Sequence, residues 1–378
     1  MSESAATPIL DLEQPPPPLP GTLHLYFIVF TTGVVVLSSL ILRDLHQLPD
    51  WHWPAVNEIL LFPLVWLGIA AHEASHALVG RIGGIEFGGI SVGGFVFLKS
   101  GTRWTCRFEL RHIFSGFFRP LCGTVGFDRS KWAWMVAGGP LASVALAVSS
   151  GWLCAQSGSG RWAWLGTLFW TSLFLSSVSL IPSSSGLVRT DGARLWQLLR
   201  RPQPARSWIA LLAIQTADTA GILPRSWSPE PVQEMLRMPP AEPEYSYCQL
   251  LVFYRLIDEC EETAALPHLE NALSGLRRAP TPYRQMVYIE AACASANIRK
   301  NPEQARQWRQ RATALMKPRS LEAVDAEIAI AEGRYEAALK HLEAAQAHLD
   351  KSGFDSGLAR FAREQWAQSA ALCRAALR

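Results

Sequence analysis

The 378-residue sequence contains no C-x-x-C pair, and its seven cysteines (Cys106, Cys122, Cys154, Cys248, Cys260, Cys293, Cys373) are scattered and odd in number. That argues against a disulfide framework and against a cysteine-built zinc site. Net charge is only +3, too little to suggest a nucleic-acid surface. Residues 1–20 lack Lys and Arg but carry Glu3, Asp11, Glu13 and the run Pro15, Pro16, Pro17, Pro18. This is not the pattern of a cleaved signal peptide, and a disordered Pro-rich leader is expected over residues 1–21. Long apolar runs are missing from the second half of the chain, which is rich in Ala, Glu, Arg and Leu. A membrane domain followed by a soluble one is the organisation this unevenness implies.

In the first half, four stretches offer the roughly 20 mostly apolar residues that a bilayer crossing needs: residues 22–42, 56–80, 131–154 and 162–181. The loop from Arg81 to Lys131 also holds Lys99, Arg103, Arg107, Arg111, Arg119 and Arg129 against Glu86, Glu109 and Asp128. Arg189, Arg194, Arg200, Arg201 and Arg206 follow the fourth stretch. This excess of basic residues places both segments on the cytoplasmic side, so that the N-terminus and the C-terminus are both cytoplasmic and the inner (plasma) membrane is the expected location. Trp51, Trp53, Trp132, Trp134, Trp162 and Trp164 sit at proposed span ends, as belt residues or as packed core. The fold class expected is an α-helical polytopic membrane protein of about four transmembrane helices. It carries a Gly-rich β-hairpin insertion and is followed by a C-terminal all-α soluble domain.

The insertion is IGGIEFGGISVGGFVFLKSG, residues 82–101, in which apolar residues alternate with Gly. It reads either as a surface hairpin or as a strand edge able to pair with an extended substrate. Residues 201–240 carry Pro at 202, 204, 224, 229, 231, 239 and 240 and read as an irregular linker with at most short helices. Beyond it, over 241–378, helical patterns alternate with short breaks. Gly333, Tyr335, Ala338 and Ala345, with Ala305 and Ala312 earlier, fit a degenerate tetratricopeptide-like pairing or a generic helical bundle. A repeat array would offer a surface for a cytoplasmic protein partner.

The chemistry lies in GIAAHEASHALVG, which gives H-E-x-x-H at His72, Glu73 and His76. Two imidazoles at i and i+4 share a helix face and can bind one Zn²⁺, while the adjacent carboxylate can act as general base on the water that zinc activates. Ionisable groups in an apolar helix cost several kcal/mol, about 2–4 each, so they usually line a site. A catalytic zinc needs a third protein ligand. Among the other histidines, His24, His46 and His52 fall toward the opposite face, His112 lies in a basic loop, and His268, His341 and His348 lie in the soluble half. Asp191, opening an amphipathic segment just past the fourth stretch, is either a helix N-cap or that ligand.

The order of H-E-x-x-H, then AGGPLAS (137–143) opening a later span, then S-L-I-P and T-D-G-A-R-L resembles the site-2 protease family of intramembrane metalloproteases over residues 55–200. The resemblance implies one zinc per chain held by His72, His76 and Asp191, with Glu73 as the base. It also implies cleavage of a membrane-embedded or membrane-adjacent protein substrate near the cytoplasmic face, in regulated proteolysis. Two positions depart from the family pattern: Ser143 and Ser179 stand where Asn residues hold the substrate or its oxyanion. That departure supports an alternative, a catalytically idle metal-binding membrane scaffold that recruits partners through its helical domain. A transporter fits poorly, because the membrane region shows no internal repeat. Gly138, Gly139 and Pro140 are expected to allow close helix packing.

Overall fold

The computed structural model describes residues 54–100, 103–110, 113–122, 126–157, 164–182, 184–185, 188–315, 321–353 and 355–378. The expected leader and the first expected span, 22–42, lie outside these residues, as do His24, His46, His52, His112, Trp51, Trp53 and Trp162. The described residues form thirteen α-helices and a small antiparallel sheet. They divide into two units, one drawn from residues up to Val65 together with Ala145–Phe174, the other from Trp66–Val144 and Leu175–Arg378.

Helix α1 spans Pro54–Ile82, α2 spans Arg129–Ser157 and α3 spans Trp164–Leu180. Among the described residues, Arg129–Cys154 is the one helix both long and apolar enough to cross a membrane, with a mean hydropathy of 1.4 over its best window. Helix α3 is apolar but only 17 residues long. In the smaller unit, α2 and α3 approach closely where Gly151 lies against the Phe169 ring, the kind of contact small residues permit.

In the larger unit, α1 is stopped by a glycine turn. Gly84 takes φ +84°, its N–H donates to Arg81 O (3.1 Å), and the Ile85 N–H donates back to Gly80 O (2.7 Å). This paired closure satisfies two terminal carbonyls and drops Ile85 into the core. The chain then forms β1 (Glu86–Val92), β2 (Phe95–Ser100), β3 (Arg103–Phe108) and β4 (Gly116–Leu121). The expected hairpin is present, with Gly93 and Gly94 supplying the two positive-φ positions of a tight turn. The order β3-β2-β1-β4 makes both hairpin strands interior, however, and the sheet edges belong to β3 and β4. The hairpin edge proposed from the Gly pattern is therefore occupied. Both flanking strands went unread because Arg103, Trp104, Arg107 and Arg119 interrupt the apolar alternation.

AGGPLAS lies within continuous α2 instead of opening a span, and Asp128 caps that helix by accepting from Ser130 N (3.0 Å). Of the tryptophans expected as a belt, Trp132 is fully buried and packs against Trp208 at 5.7 Å, whereas Trp134 is exposed.

The expected irregular linker over 201–240 is corrected by helices α5 (Pro202–Thr219) and α6 (Pro229–Leu236), with a short 3₁₀ turn at Pro224–Ser226 between them. Pro202, Pro204, Pro224, Pro229 and Pro231 sit at or near element starts, where a missing N–H costs nothing and a fixed φ favours the helix. Ile209, Ala210 and Met235 are fully buried. Ile209→Ala is expected to destabilise the protein by about 2–5 kcal/mol in denaturant unfolding; a linker residue would show almost no change.

Three helix pairs follow: α7 (Tyr245–Asp258) with α8 (Glu262–Ser274), α9 (Thr281–Asn297) with α10 (Pro302–Thr313), and α11 (Glu322–Ala331) with α12 (Tyr335–Ser352), before a final α13 (Gly357–Ala376). The first helix of each pair is followed by a left-handed residue, Cys260, Lys300 and Gly333 in turn. The alanines noted in the sequence, Ala305, Ala312, Ala338 and Ala345, are all buried between helices. The first pair, α7 with α8, has the same construction, although the alanine spacing noted in the sequence lies only in the later pairs.

Within this region Glu290 accepts from the Tyr254 hydroxyl (3.0 Å), and burial pushes its pKa up to about 7, with Glu327 adding repulsion. A carboxyl raised in the fold favours the protonated form. Its stabilising effect is complete below the ordinary carboxylate range and is lost as pH rises toward 7. Glu290→Gln is expected to raise the unfolding temperature of the full chain by several degrees at pH 8 and to leave it unchanged at pH 4.

Candidate metal centre

Helical spacing carries His72 and His76 to one face of α1, where their rings meet edge to face with centroids 4.9 Å apart. Both rings are buried, and so is Glu73. His72 Nε2 lies 2.9 Å from Asp191 Oδ2, and His76 Nε2 lies 3.4 Å from Asp191 Oδ1. The other ring nitrogens are held from α2: His76 Nδ1–H donates to the Met135 carbonyl (2.8 Å), and His72 Nδ1 lies 2.9 Å from Ser143 Oγ. A carbonyl can only accept, so the bond to Met135 puts a proton on His76 Nδ1 and turns Nε2 toward Asp191. Second-shell partners orient ligand histidines in this way.

Asp191 reaches the histidines because it is spared from capping. Thr190 is the N-cap of α4 (Asp191–Arg200), its hydroxyl accepting from Ala193 N at 3.3 Å and donating to Ile181 O at 2.7 Å. Of the two roles open to Asp191 from sequence, the cap therefore belongs to its neighbour. Burial works against ionisation of Asp191, but the two facing imidazoles outweigh it and hold the carboxyl below its usual range.

The donor set suits zinc, with two imidazole nitrogens and one carboxylate oxygen all within 4.8 Å of one another. The space between them is kept open by Gly139. A Cβ at that position would come within 2.6 Å of His72 Nε2 and closer still to His76 Nε2. Gly138 next to it does have the expected packing role, facing Ser75 O and Val79. Comparisons with protein-family models, curated proteins and solved structures returned no match. A second grouping, Glu322, Asp325 and His341, is less suited to a cation, because Arg309 already donates twice to Asp325 and His341 pairs with Glu322 at 2.6 Å.

Glu73 extends toward β4, where a Cβ at Gly116 would lie 2.5 Å from its Oε1. Phe118 of the same strand stacks on the His76 ring at 6.0 Å. The sheet thus supplies one wall of the centre. Ser143 is present at the site, but its hydroxyl is engaged with His72; Ser179 donates to Ser176 O (3.2 Å) within its own helix. His268 bonds Gln249 (2.8 Å) in the helical region. Gly139, expected only to allow helix packing, lines the site instead, and Met135, Gly116, Phe118 and Thr190 carry roles that the sequence did not assign. Of these, only Thr190, directly preceding the acidic residue at a helix start, carried a usable capping signal.

Proposed function

We propose that this chain is a polytopic inner-membrane zinc endopeptidase, similar to site-2 proteases, that cleaves a membrane-embedded or membrane-adjacent protein near the cytoplasmic face. The observation that carries the reading is the convergence of His72 Nε2, His76 Nε2 and Asp191 on one small space, with Glu73 buried beside it. His72, His76 and Asp191 would hold the ion. When bound, zinc supplies Lewis acidity to a scissile carbonyl and to water. Glu73 takes the proton from the attacking water and returns it to the leaving amine. Ser143 and the Met135 carbonyl fix the imidazole orientations, and the β4 wall limits access of bulk water. Regulated proteolysis is the process such a site serves, and the tetratricopeptide-like helix pairs are the surface for a cytoplasmic partner.

One observation favours the second reading, a metal-binding scaffold without turnover: the Ser179 hydroxyl is spent on Ser176 O within its own helix, and Ser143 Oγ lies against His72 Nδ1. The two readings separate in a cleavage assay on a panel of single-span membrane substrates with purified protein in liposomes. The protease reading expects cleavage that a chelator stops and stoichiometric zinc restores. Zinc binding without cleavage across the panel supports the scaffold.

A further inference from the structure

The two flanks of Asp191 are gripped from the start of the helical domain. Arg189, two residues before it, donates through Nη2 to Glu242 and to Glu244 (3.1 Å). Arg194, three residues after it, donates to Glu244 Oε1 (2.9 Å), and Arg201 donates to Glu242 Oε1 (2.7 Å). The side chains of Glu242 and Glu244 are 3% and 7% exposed, and those of Arg189 and Arg194 are 10% and 12% exposed. At this burial, removing one partner leaves an uncompensated charge out of water, a far heavier cost than losing a surface pair. Glu244 directly precedes helix α7, so the carboxylates belong to the first helix pair of the domain.

The same arginine reaches the other side of the centre. Arg194 lies 4.3 Å over the Trp208 ring, and Trp208 meets Trp132 edge to face. Trp132 is on α2, less than one turn from Met135, whose carbonyl fixes His76. Arg194 also donates to Gln197 Oε1 (2.8 Å) within α4. One lattice of buried charges and rings therefore touches the supports of two of the three metal-facing side chains.

We propose that Glu242 and Glu244 are positioning residues for the metal centre: the entrance to the helical domain clamps Asp191 through Arg189 and Arg194. Metal affinity and turnover then depend on the placement of α7. This inference rests on the metal-binding reading above. A simple fastening role would make the same ion pairs matter for folding alone.

The test uses the full-length protein and Co²⁺ alone as the probe, read by its visible d–d absorption and by titration, with Asp191→Asn as the reference for the site. Because Glu244→Gln alone strands Arg194, it is combined with Arg194→Met, which keeps the packing on Trp208 and removes both charges. The expected result is a Co²⁺ affinity about tenfold weaker, in the range that loss of outer-shell support produces, with an altered d–d band and an intact fold by circular dichroism. Ile328→Ala, which opens a cavity in the core between α9, α10 and α11, in the third helix pair and not in the one that carries the clamp, is expected to lower the unfolding temperature and leave the Co²⁺ titration unchanged. An Asp191-dependent band in the wild type that persists with unchanged affinity in the double variant would overturn the clamp while sparing the metal reading. Co²⁺ loss in Ile328→Ala equal to that in the double variant would reduce the clamp to general stability. Absence of any Asp191-dependent band in the wild type would overturn both.

Discussion

Glu73→Gln is expected to lower cleavage by about 10²–10⁴-fold, the usual contribution of a positioned general base, while zinc content stays at the wild-type level. The carboxylate is not among the three metal-facing groups, and its amide isostere fills the same space against Gly116, so neither the metal nor the packing around it should change. Metal analysis and cleavage kinetics on the same preparations check this. The loss should appear in kcat with KM unaltered, because proton transfer matters in the transition state and not in substrate binding. Equal zinc loss and activity loss would instead make Glu73 a ligand.

Gly139→Ala is expected to weaken zinc binding by more than about 100-fold, beyond the 10–100-fold that changes in outer-shell residues cost. The added methyl would occupy the space onto which the two imidazole nitrogens converge, and helix α2 cannot retreat without breaking the bonds from Met135 and Ser143 to the same rings. Gly138→Ala is the control. Its methyl would meet Ser75 O and Val79 Cγ2 at 3.0 Å, so it should lower stability by about 1–3 kcal/mol, as overpacking does, with zinc retained. Zinc titrations of the two variants side by side separate a role in the site from a role in packing, although the residues are adjacent.

The contrast between these two glycines shows where sequence reading stopped. His72, Glu73 and His76 were legible because helical periodicity alone brings i and i+4 together. Asp191 was legible only as a choice between cap and ligand, since the choice turns on whether Thr190 satisfies the helix end, a matter of backbone geometry. Gly139 was legible only as a packing residue like Gly138, because the imidazoles it faces come from a helix more than 50 residues earlier in the chain. Prolines misled over 201–240: in a local reading they punctuate, whereas here they start helices whose other residues are buried. Strands β3 and β4 were hidden by their charged residues, and with them the wall that carries Phe118 and Gly116. The helical domain was readable as alternating helices. Nothing local in the sequence marks Glu242 and Glu244 as buried, since their arginine partners are brought to them by the fold.

The most direct test of the metal centre is zinc K-edge X-ray absorption on the purified full-length protein, wild type against Asp191→Asn. One zinc per chain is expected, in a sulfur-free shell of nitrogen and oxygen at about 2.0–2.2 Å with two imidazoles resolved, and the variant should show a changed set of nearest neighbours. A shell containing sulfur, or a wild-type spectrum that the substitution leaves untouched, would contradict it.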